Sequence, residues 1–341
     1  MTQVNGIIDF LNQAGTQFKI FDMGRRIEEI DQADFLSFEQ GEKPYPLPLQ
    51  QQAWLGFLVW TEDKKSELVI WFLRFPLDAA GKLTSGIRDD FVVRLINKEG
   101  DESPQQDESN PYGFKPKQEH MASFHAKAAK LLNQPASSYY EHTKDYFAGK
   151  PGFDQWSFVG FQGIADIATR LDEENNAALI AAAIEQIPVQ PFEALAQCLE
   201  HEKIDSNISQ AIVNVINKEL DNEKPDANFI SLGIRALSHC AEQSLLEQIL
   251  NKVLSTETGS HPEVLASVSG RCWLTLKNQN IINLFLEALA NCREGQEFFN
   301  LVIVDLINIP GMQESILKAV KSSDRSEVLS KAIGELFKSF T

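Results

Sequence analysis

Two interleaved series of apolar helical segments recur at nearly constant spacing in the second half of the chain. In the first series the spacings are 34, 37, 35 and 34 residues between anchors at Phe158, Phe192, Phe229, Val264 and Phe298. In the second series they are 37, 36 and 35 residues between helix starts at Ile208, Leu245, Ile281 and Ile316. A helical pair of this kind has an apolar stripe that it cannot bury alone, so neighbouring pairs are expected to stack into one continuous core.

This doubled period predicts an all-α helical-repeat domain over residues 158–341. The period is slightly shorter than that of HEAT and armadillo repeats, and the aromatic and small residues typical of tetratricopeptide repeats are missing. On periodicity, the domain resembles a HEAT-like α-solenoid. The alternative is an irregular all-α domain whose helices merely have similar lengths.

Two apolar runs in the first half, AWLGFLVW (53–60) and LVIWFLRFPL (68–77), flank the charged connection TEDKKSE. A membrane-spanning helix needs about 20 apolar residues, so neither run can cross a bilayer. Trp, Phe, Val and Ile favour strands, and proline cannot donate to a β-ladder. The pattern therefore predicts an antiparallel β-hairpin whose second strand ends at Pro76.

Neither predicted strand alternates apolar with polar residues, which is typical of a sheet covered on both faces. A helix predicted at 87–97 can cover one face. The other face could be covered by a helix within residues 1–13, by a helix at 117–133, or by a partner protein. We expect coverage within the chain, and an exposed binding face is the alternative.

The sequence thus predicts an α+β domain with a hairpin-containing antiparallel sheet, followed by an all-α repeat domain. Residues 99–116 are rich in acids and prolines and have little aliphatic content, which is typical of a linker or long loop. The predicted organisation is an α+β domain at 1–98, an acidic linker or loop at 99–116, connecting helices at 117–157 and the α-helical repeat domain at 158–341.

Charge and cysteine spacing limit the functions to be considered. The net charge of −17 repels phosphate backbones and disfavours nucleic-acid binding, whereas it would suit a basic protein partner. The four cysteines form no CxxC pair, so zinc and thioredoxin-type sites lack their spacing. Separated cysteines and an N-terminus without signal-peptide features predict a cytoplasmic protein with no membrane association.

Polar residues that could bind a ligand cluster in FDMGRRIEEID. Asp22 beside Arg25 and Arg26 could clamp a carboxylate or phosphate, and Arg74 of the hairpin could join them. The same residues also fit a tight turn at the end of a strand, with Gly24 in the turn. If the binding interpretation holds, the protein is an enzyme with a pocket in the α+β domain.

No catalytic residue, metal ligand or cofactor is predicted. His120 and His125 are five residues apart, which places them about 140° apart on a helix and prevents them from sharing a zinc ion. The glycines of GFQGIADIATR lack the preceding strand and the GK[ST] sequence that a phosphate-binding loop requires.

The segments FDMGRR and YPLPLQQQAW resemble an uncharacterised bacterial family, a domain of unknown function, over nearly the full length of the chain. The resemblance implies a bacterial cytoplasmic protein. It implies no activity, ligand or site residue.

The repeat domain makes a non-enzymatic protein-binding or scaffold function the leading hypothesis, because helical repeats create extended binding surfaces. The alternatives are the enzyme described above and a homo-oligomeric structural protein, such as a homodimer. Candidate contacts for a protein partner are polar positions on the second helix series: Asn214, Asn217, Lys218, Gln248, Lys252 and Asn283.

Overall fold

The computed structural model describes residues 4–61, 68–97 and 110–339 of the chain. These fold into two compact units. The first unit comprises Met1–His120 and Ile307–Pro310, and the second comprises Met121–Leu306 and Gly311–Thr341.

The first unit contains a four-stranded antiparallel sheet, which confirms the predicted hairpin-containing sheet. Its strands are β1 (Gln17–Asp22), β2 (Glu28–Ile30), β3 (Gln52–Trp60) and β4 (Val69–Pro76), in the order β2-β1-β3-β4. The hairpin register pairs Val59 with Val69 and Gln52 with Pro76, so the second strand ends at the proline as predicted. The connection at 62–67 lies outside the described residues.

Three helices accompany this sheet: α1 (Ile7–Gln13), α2 (Gln32–Glu39) and α3 (Ser85–Asn97). The sequence predicted α1 and α3. It did not predict α2, which begins two residues after Ile30. The Asp31 side chain accepts a hydrogen bond from the Ala33 N–H and so caps the start of α2, while Phe35 and Phe38 are buried.

One face of the sheet carries the core of this unit. Residues that pair across antiparallel strands point to the same side, and Phe57 lies opposite both Ile20 and Trp71. These side chains form a single buried cluster with residues of α1, α2 and α3, among them Ile7 and Phe91. The N-terminal helix therefore covers the same face as α3 and leaves the opposite face to other residues.

The opposite face is covered in part by the end of the predicted linker. The Phe114 ring contacts Trp54 and Phe72, with centroid distances of 4.9 Å and 5.8 Å. Its backbone N–H donates to the Phe72 carbonyl at 3.1 Å, and the Arg74 N–H donates to the Tyr112 carbonyl at 2.7 Å. Residues 110–116 thus lie beside β4 and belong to the folded domain, whereas 99–109 lie outside the described residues.

The chain is helical from residue 118 onward, which confirms the predicted all-α class of the second half. The helices are α4 (Gln118–Leu131), α5 (Tyr140–Phe147), α6 (Phe161–Thr169), α7 (Asn176–Ala183), α8 (Val189–Leu199), α9 (Ser206–Leu220), α10 (Ala227–Leu237), α11 (Gln243–Leu254), α12 (Pro262–Arg271), α13 (Gln279–Ala290), α14 (Gly295–Ile307), α15 (Gln313–Val320) and α16 (Glu327–Lys338). Among the described residues, no helix combines the length and apolarity needed to cross a membrane.

Within each of the two sequence series, neighbouring helices pack against one another. In the first series α6 contacts α8, α8 contacts α10, and α10 contacts α12. In the second series α7 contacts α9, and α13 contacts both α11 and α15. The Phe192 ring of α8 stacks on Phe229 of α10 at 5.0 Å, so two of the sequence anchors meet directly.

One anchor of the first series is misplaced. Phe158 lies at the end of a 3-10 segment (Phe153–Phe158) and is 70% exposed, and α6 begins only at Phe161. The apolar side chains that α6 buries come later, for example Ile164 and Ile167. The other eight anchors lie within helices.

Candidate functional site

The structure brings Asp22, Arg25 and Arg26 together at the end of β1. The Asp22 carboxylate is fully buried and accepts hydrogen bonds from the backbone N–H groups of Gly24, Arg25 and Arg26, at 3.2, 2.9 and 3.1 Å. Its other oxygen accepts from the Tyr45 hydroxyl at 2.7 Å. Both oxygens are thus engaged in closing the turn that follows the strand.

Burial raises the pKa of Asp22 to about 6, although the hydrogen bonds from Tyr45 and the three amides act in the opposite direction. Burial, together with the neighbouring Asp22 carboxylate, also raises the pKa of Tyr45 well above its ordinary value. Because the pair is enclosed, its perturbed pKa values reflect the closed turn and do not by themselves indicate catalysis.

The two arginines of the turn are also buried. Arg25 is 0% exposed, and its Nε donates to the Pro48 carbonyl at 2.7 Å. The Arg26 guanidinium lies 4.0 Å from the Glu28 carboxylate. These side chains join the turn to the proline-containing segment and to β2, so they do not form a surface clamp.

Arg74 lies on the other face of the sheet. It pairs with Trp54 across the hairpin, whereas Asp22 pairs with Leu55, and adjacent residues of a strand point to opposite faces. The exposed Arg74 guanidinium sits 5.1 Å from the centre of the Trp54 ring, within range of a cation–π interaction. The structure therefore separates Arg74 from the other three predicted residues of the first unit.

The predicted second-series residues lie on α9, α11 and α13, and several of them brace neighbouring helices. Asn214 Nδ2 donates to Glu185 at 2.8 Å, at the end of α7. Lys252 Nζ of α11 donates to Asn217 Oδ1 of α9 at 2.7 Å. Asn283 accepts from Gln279 of its own helix at 3.0 Å. These three contacts use part of the hydrogen-bonding capacity that was predicted for a partner.

Lys218 and Gln248 complete that predicted set. Both are exposed, and neither side chain has a hydrogen-bond or ion-pair partner in the described part of the chain. They remain available to a partner.

A buried charged group that the sequence analysis missed lies at the C-terminal ends of the first-series helices. Glu200 follows α8 and is 0% exposed. It accepts a hydrogen bond from Arg235 Nε of α10 at 2.6 Å and lies 3.0 Å from Arg271 Nε of α12. His201 Nε2 lies 3.6 Å from the same carboxylate. One carboxylate thus ties together three successive helices of the series.

The electrostatics of this group favour an ionised carboxylate. Burial alone would raise the pKa of Glu200, but the electrostatic interactions with Arg271, His201 and Arg235 outweigh it and hold the pKa well below its usual range. Because the last turn of a helix favours cations, the positions of the two arginines at the ends of α10 and α12 are also favourable. The sequence contained a signal for this group, because Glu200, Arg235 and Arg271 are separated by 35 and 36 residues, which is close to the spacing of the helical segments.

A second buried ion pair lies one helix earlier. Arg170 Nη1 lies 3.2 Å from the Asp166 carboxylate at the end of α6, and both side chains are almost completely buried. The other Asp166 oxygen accepts from the Ser137 N–H at 3.1 Å. Asp166 precedes Glu200 by 34 residues, which is again the repeat spacing.

The four cysteines are buried free thiols. Burial raises the pKa of the Cys198 thiol far above its ordinary value and also raises that of Cys240. Since the thiolate is the nucleophilic form, neither of these two residues has the character of a catalytic cysteine.

The arrangements described above stabilise turns and helix contacts. No curated protein and no solved structure matches the chain at a significant level. One family model matches residues 2–337, nearly the whole length, and this confirms the resemblance to an uncharacterised family. The chain belongs to the family described as "Protein of unknown function (DUF3549)".

Proposed function

We propose that the protein is a non-enzymatic protein-binding or scaffold protein whose helices α6 to α16 stack as a HEAT-like solenoid. The observation that carries the proposal is the set of hydrogen bonds between successive second-series helices. The Asn214 side chain of α9 donates to Glu185, which follows α7, and the Lys252 side chain of α11 donates to Asn217 of α9. The Asn278 side chain, at the start of α13, donates to Glu247 of α11 at 3.0 Å. Because each helix is braced to the next, their exposed side chains belong to one extended surface, which suits a protein ligand.

The state of the buried polar groups also supports a binding function over an enzymatic one. Catalytic groups must converge on a site that a substrate can reach. Both oxygens of Asp22 are engaged in a closed turn, and Glu200 is enclosed between two arginines. The carboxylates with strongly perturbed pKa values therefore support the fold.

Charge and thiol chemistry support two further parts of the proposal. A net charge of −17 would accelerate encounter with a basic protein, because long-range attraction acts mainly on the association rate. Four buried free thiols suit a reducing compartment, which supports a cytoplasmic location.

The proposal is tested by identifying and then perturbing the partner. Affinity purification of the full chain from its native host, followed by mass spectrometry, provides a candidate that is then purified. We expect Gln248→Arg combined with Asn251→Arg to weaken its binding at least about tenfold, which is about 1.4 kcal/mol. The matched control, Asn12→Arg with Gln13→Arg, changes exposed amides on α1 and is expected to leave binding unchanged.

Equal binding by all three proteins would contradict a second-series binding surface. Light scattering on the purified chain provides a further check, because a stable dimer that excludes the partner would favour the homo-oligomeric alternative.

A further inference from the structure

An exposed aromatic surface lies where α5 and α6 begin. Phe158, at the end of the 3-10 segment (Phe153–Phe158), is 70% exposed, and Tyr139, directly before α5, is 57% exposed. The 3-10 segment buries none of its six residues, and its Trp156 is partly exposed. We call Tyr139, Trp156 and Phe158 the aromatic patch. Large aromatic side chains are mostly buried in folded proteins, so exposed ones that lie together mark a candidate interaction surface.

The members of the aromatic patch are neighbours in space. A Cβ atom added to Gly160 would lie 3.8 Å from Tyr139 Cδ1, so the Tyr139 ring packs beside Gly160. Phe158 precedes Gly160 by two residues, a step that spans at most about 7 Å even in a fully extended chain. The Val159 N–H donates to the Trp156 carbonyl at 2.9 Å and closes the turn that contains Phe158. The three aromatic residues therefore share one surface.

The backbone beneath the aromatic patch is held in place by the packing of α5 on α6. The Tyr139 carbonyl accepts a hydrogen bond from the Thr143 N–H at 3.1 Å. A Cβ atom on Gly163 would come within 2.9 Å of the same carbonyl oxygen, so α6 packs directly on the backbone at the start of α5. Because the two helix starts are fixed to each other, little conformational entropy is lost when a ligand binds the aromatic patch.

The lysines near the aromatic patch are already paired. Residues 137–160 contain two lysines, one histidine and no arginine. Lys144 forms an ion pair with Glu174, and Lys150 forms one with Asp145 at 2.6 Å. Neither lysine therefore adds uncompensated positive charge to this surface.

Two carboxylates beside the aromatic patch have no cationic partner. Glu141 follows Tyr139 by two residues, and Asp154 precedes Trp156 by two. Both carboxylates are exposed, and neither makes an ion pair in the described part of the chain. Asp154 accepts a hydrogen bond from the neutral Gln155 side chain at 2.6 Å. In a chain of net charge −17, this surface thus combines aromatic rings with uncompensated negative charge.

This combination identifies the kind of group that fits the surface. A guanidinium group stacks on aromatic rings through cation–π attraction and forms two parallel hydrogen bonds with a carboxylate. An ammonium group is more strongly hydrated and lacks that planar geometry, so arginine suits the aromatic patch better than lysine. We propose that the aromatic patch binds an arginine side chain of a partner protein, which stacks on a ring and pairs with Glu141 or Asp154. This inference rests on the proposed protein-binding function and names the side chain that is recognised.

The test uses short peptides from a display library in which one position is always arginine, selected on the immobilised full chain. Selected peptides are synthesised with a fluorophore, and their Kd values are measured by anisotropy. We expect replacement of the arginine by citrulline, a neutral residue of the same shape, to raise Kd at least about tenfold. Rising ionic strength should weaken binding of the arginine peptide, because exposed charge pairs are screened, and should leave the citrulline peptide nearly unaffected.

Substitutions in the protein locate the site. The aromatic double variant, Tyr139→Ala with Phe158→Ala, should raise Kd about tenfold. The neutral double variant, Glu141→Gln with Asp154→Asn, should do the same and also remove the dependence on ionic strength. Phe337→Ala on α16 is the matched control, because this side chain is 54% exposed and lies outside the aromatic patch, and it should leave Kd unchanged. Thermal unfolding of every variant, monitored by circular dichroism, should match the wild type, since the substituted side chains are exposed.

Failure to select any peptide would overturn the proposal, as would peptides that keep their affinity with citrulline or with the aromatic double variant. The natural partner separates this proposal from the one on which it rests. If the partner loses affinity with the arginine variants described above but not with the aromatic double variant, protein binding stands and the aromatic patch is wrong. If it loses affinity only with the aromatic double variant, the aromatic patch is the docking site and the second-series surface is wrong. If neither variant weakens its binding, both proposals fail.

Discussion

Gly163 of α6 lies directly against Thr143 of α5. A Cβ atom on Gly163 would come within 2.0 Å of Thr143 Oγ1 and within 2.9 Å of the Tyr139 carbonyl oxygen. Thr143 is 0% exposed, so its side chain has little room to move. Helices α5 and α6 can pack with their backbones in close contact because Gly163 has no side chain.

Gly163→Ala should therefore destabilise the protein, although alanine is the better helix former. Overpacking of a closed contact typically costs about 1–3 kcal/mol. Gly334→Ala in α16 is the matched control, because nothing lies within 4 Å of the added Cβ, and it should stabilise by about 0.5–1 kcal/mol. Urea denaturation measures both, and the same sign for the two variants would contradict the close contact.

Glu200→Gln should be strongly destabilising. The variant leaves Arg235 and Arg271 without the carboxylate between them, and removal of one partner from a buried ion pair costs about 3–5 kcal/mol. Glu335→Gln breaks the solvent-exposed pair with Lys338 and should leave the midpoint of urea denaturation unchanged. Equal effects of the two variants would show that the buried ion pairs of Glu200 contribute no more to the free energy of unfolding than a surface ion pair does.

Asp22→Asn should change the pH dependence of stability. Burial raises the folded pKa of Asp22 to about 6 from 3.8, so the folded state holds this proton more tightly than the unfolded state. The associated stabilisation is present below the unfolded pKa and is lost as the pH rises through about 6. Linkage then predicts a loss of about 2 kcal/mol between about pH 4 and pH 7.

The asparagine variant lacks this titration, so its stability relative to the wild type should improve over the same pH range. Urea denaturation of both proteins at several pH values measures the difference. A constant difference between the two curves would contradict the raised pKa.

The stacked rings of Phe192 and Phe229 should contribute a measurable coupling energy between α8 and α10. A double-mutant cycle with Phe192→Leu and Phe229→Leu is expected to give about 0.5–1.5 kcal/mol beyond the area that each ring buries. A second cycle pairs Phe192→Leu with Phe299→Leu in α14 and should give additive effects. Additivity in the first cycle would show that the stack does not couple the two helices.

The elements with strong periodicity were predictable from the sequence. The β3–β4 hairpin and eight of the nine repeat anchors follow from runs of apolar residues whose spacing fits one kind of secondary structure. Helix α2 was missed because it spans only eight residues and its Leu36 is exposed, so it has little apolar periodicity. Phe158 was misplaced because an aromatic residue next to a helix looks, in sequence, like one inside it.

Polar contacts were much less predictable. Glu200, Arg235 and Arg271 follow the repeat period, yet charged residues in helices are usually solvated, and only packing shows that Glu200 is enclosed. Asp22 accepts a hydrogen bond from Tyr45, which lies 23 residues later in the sequence, and no local sequence pattern predicts that contact. Arg74 was grouped with Asp22 by charge, whereas the strand register places it on the other face.

The contacts of Glu200 with Arg235 and Arg271 limit how this chain can change in evolution. Its carboxylate reaches the next helix of its series through Arg235 and the one after that through Arg271. Duplication or deletion of a helical pair between α8 and α12 would move an arginine out of reach and leave a buried charge uncompensated. We therefore expect insertions and deletions of whole helices to fall outside 189–271, so that the number of helices from α8 to α12 stays fixed.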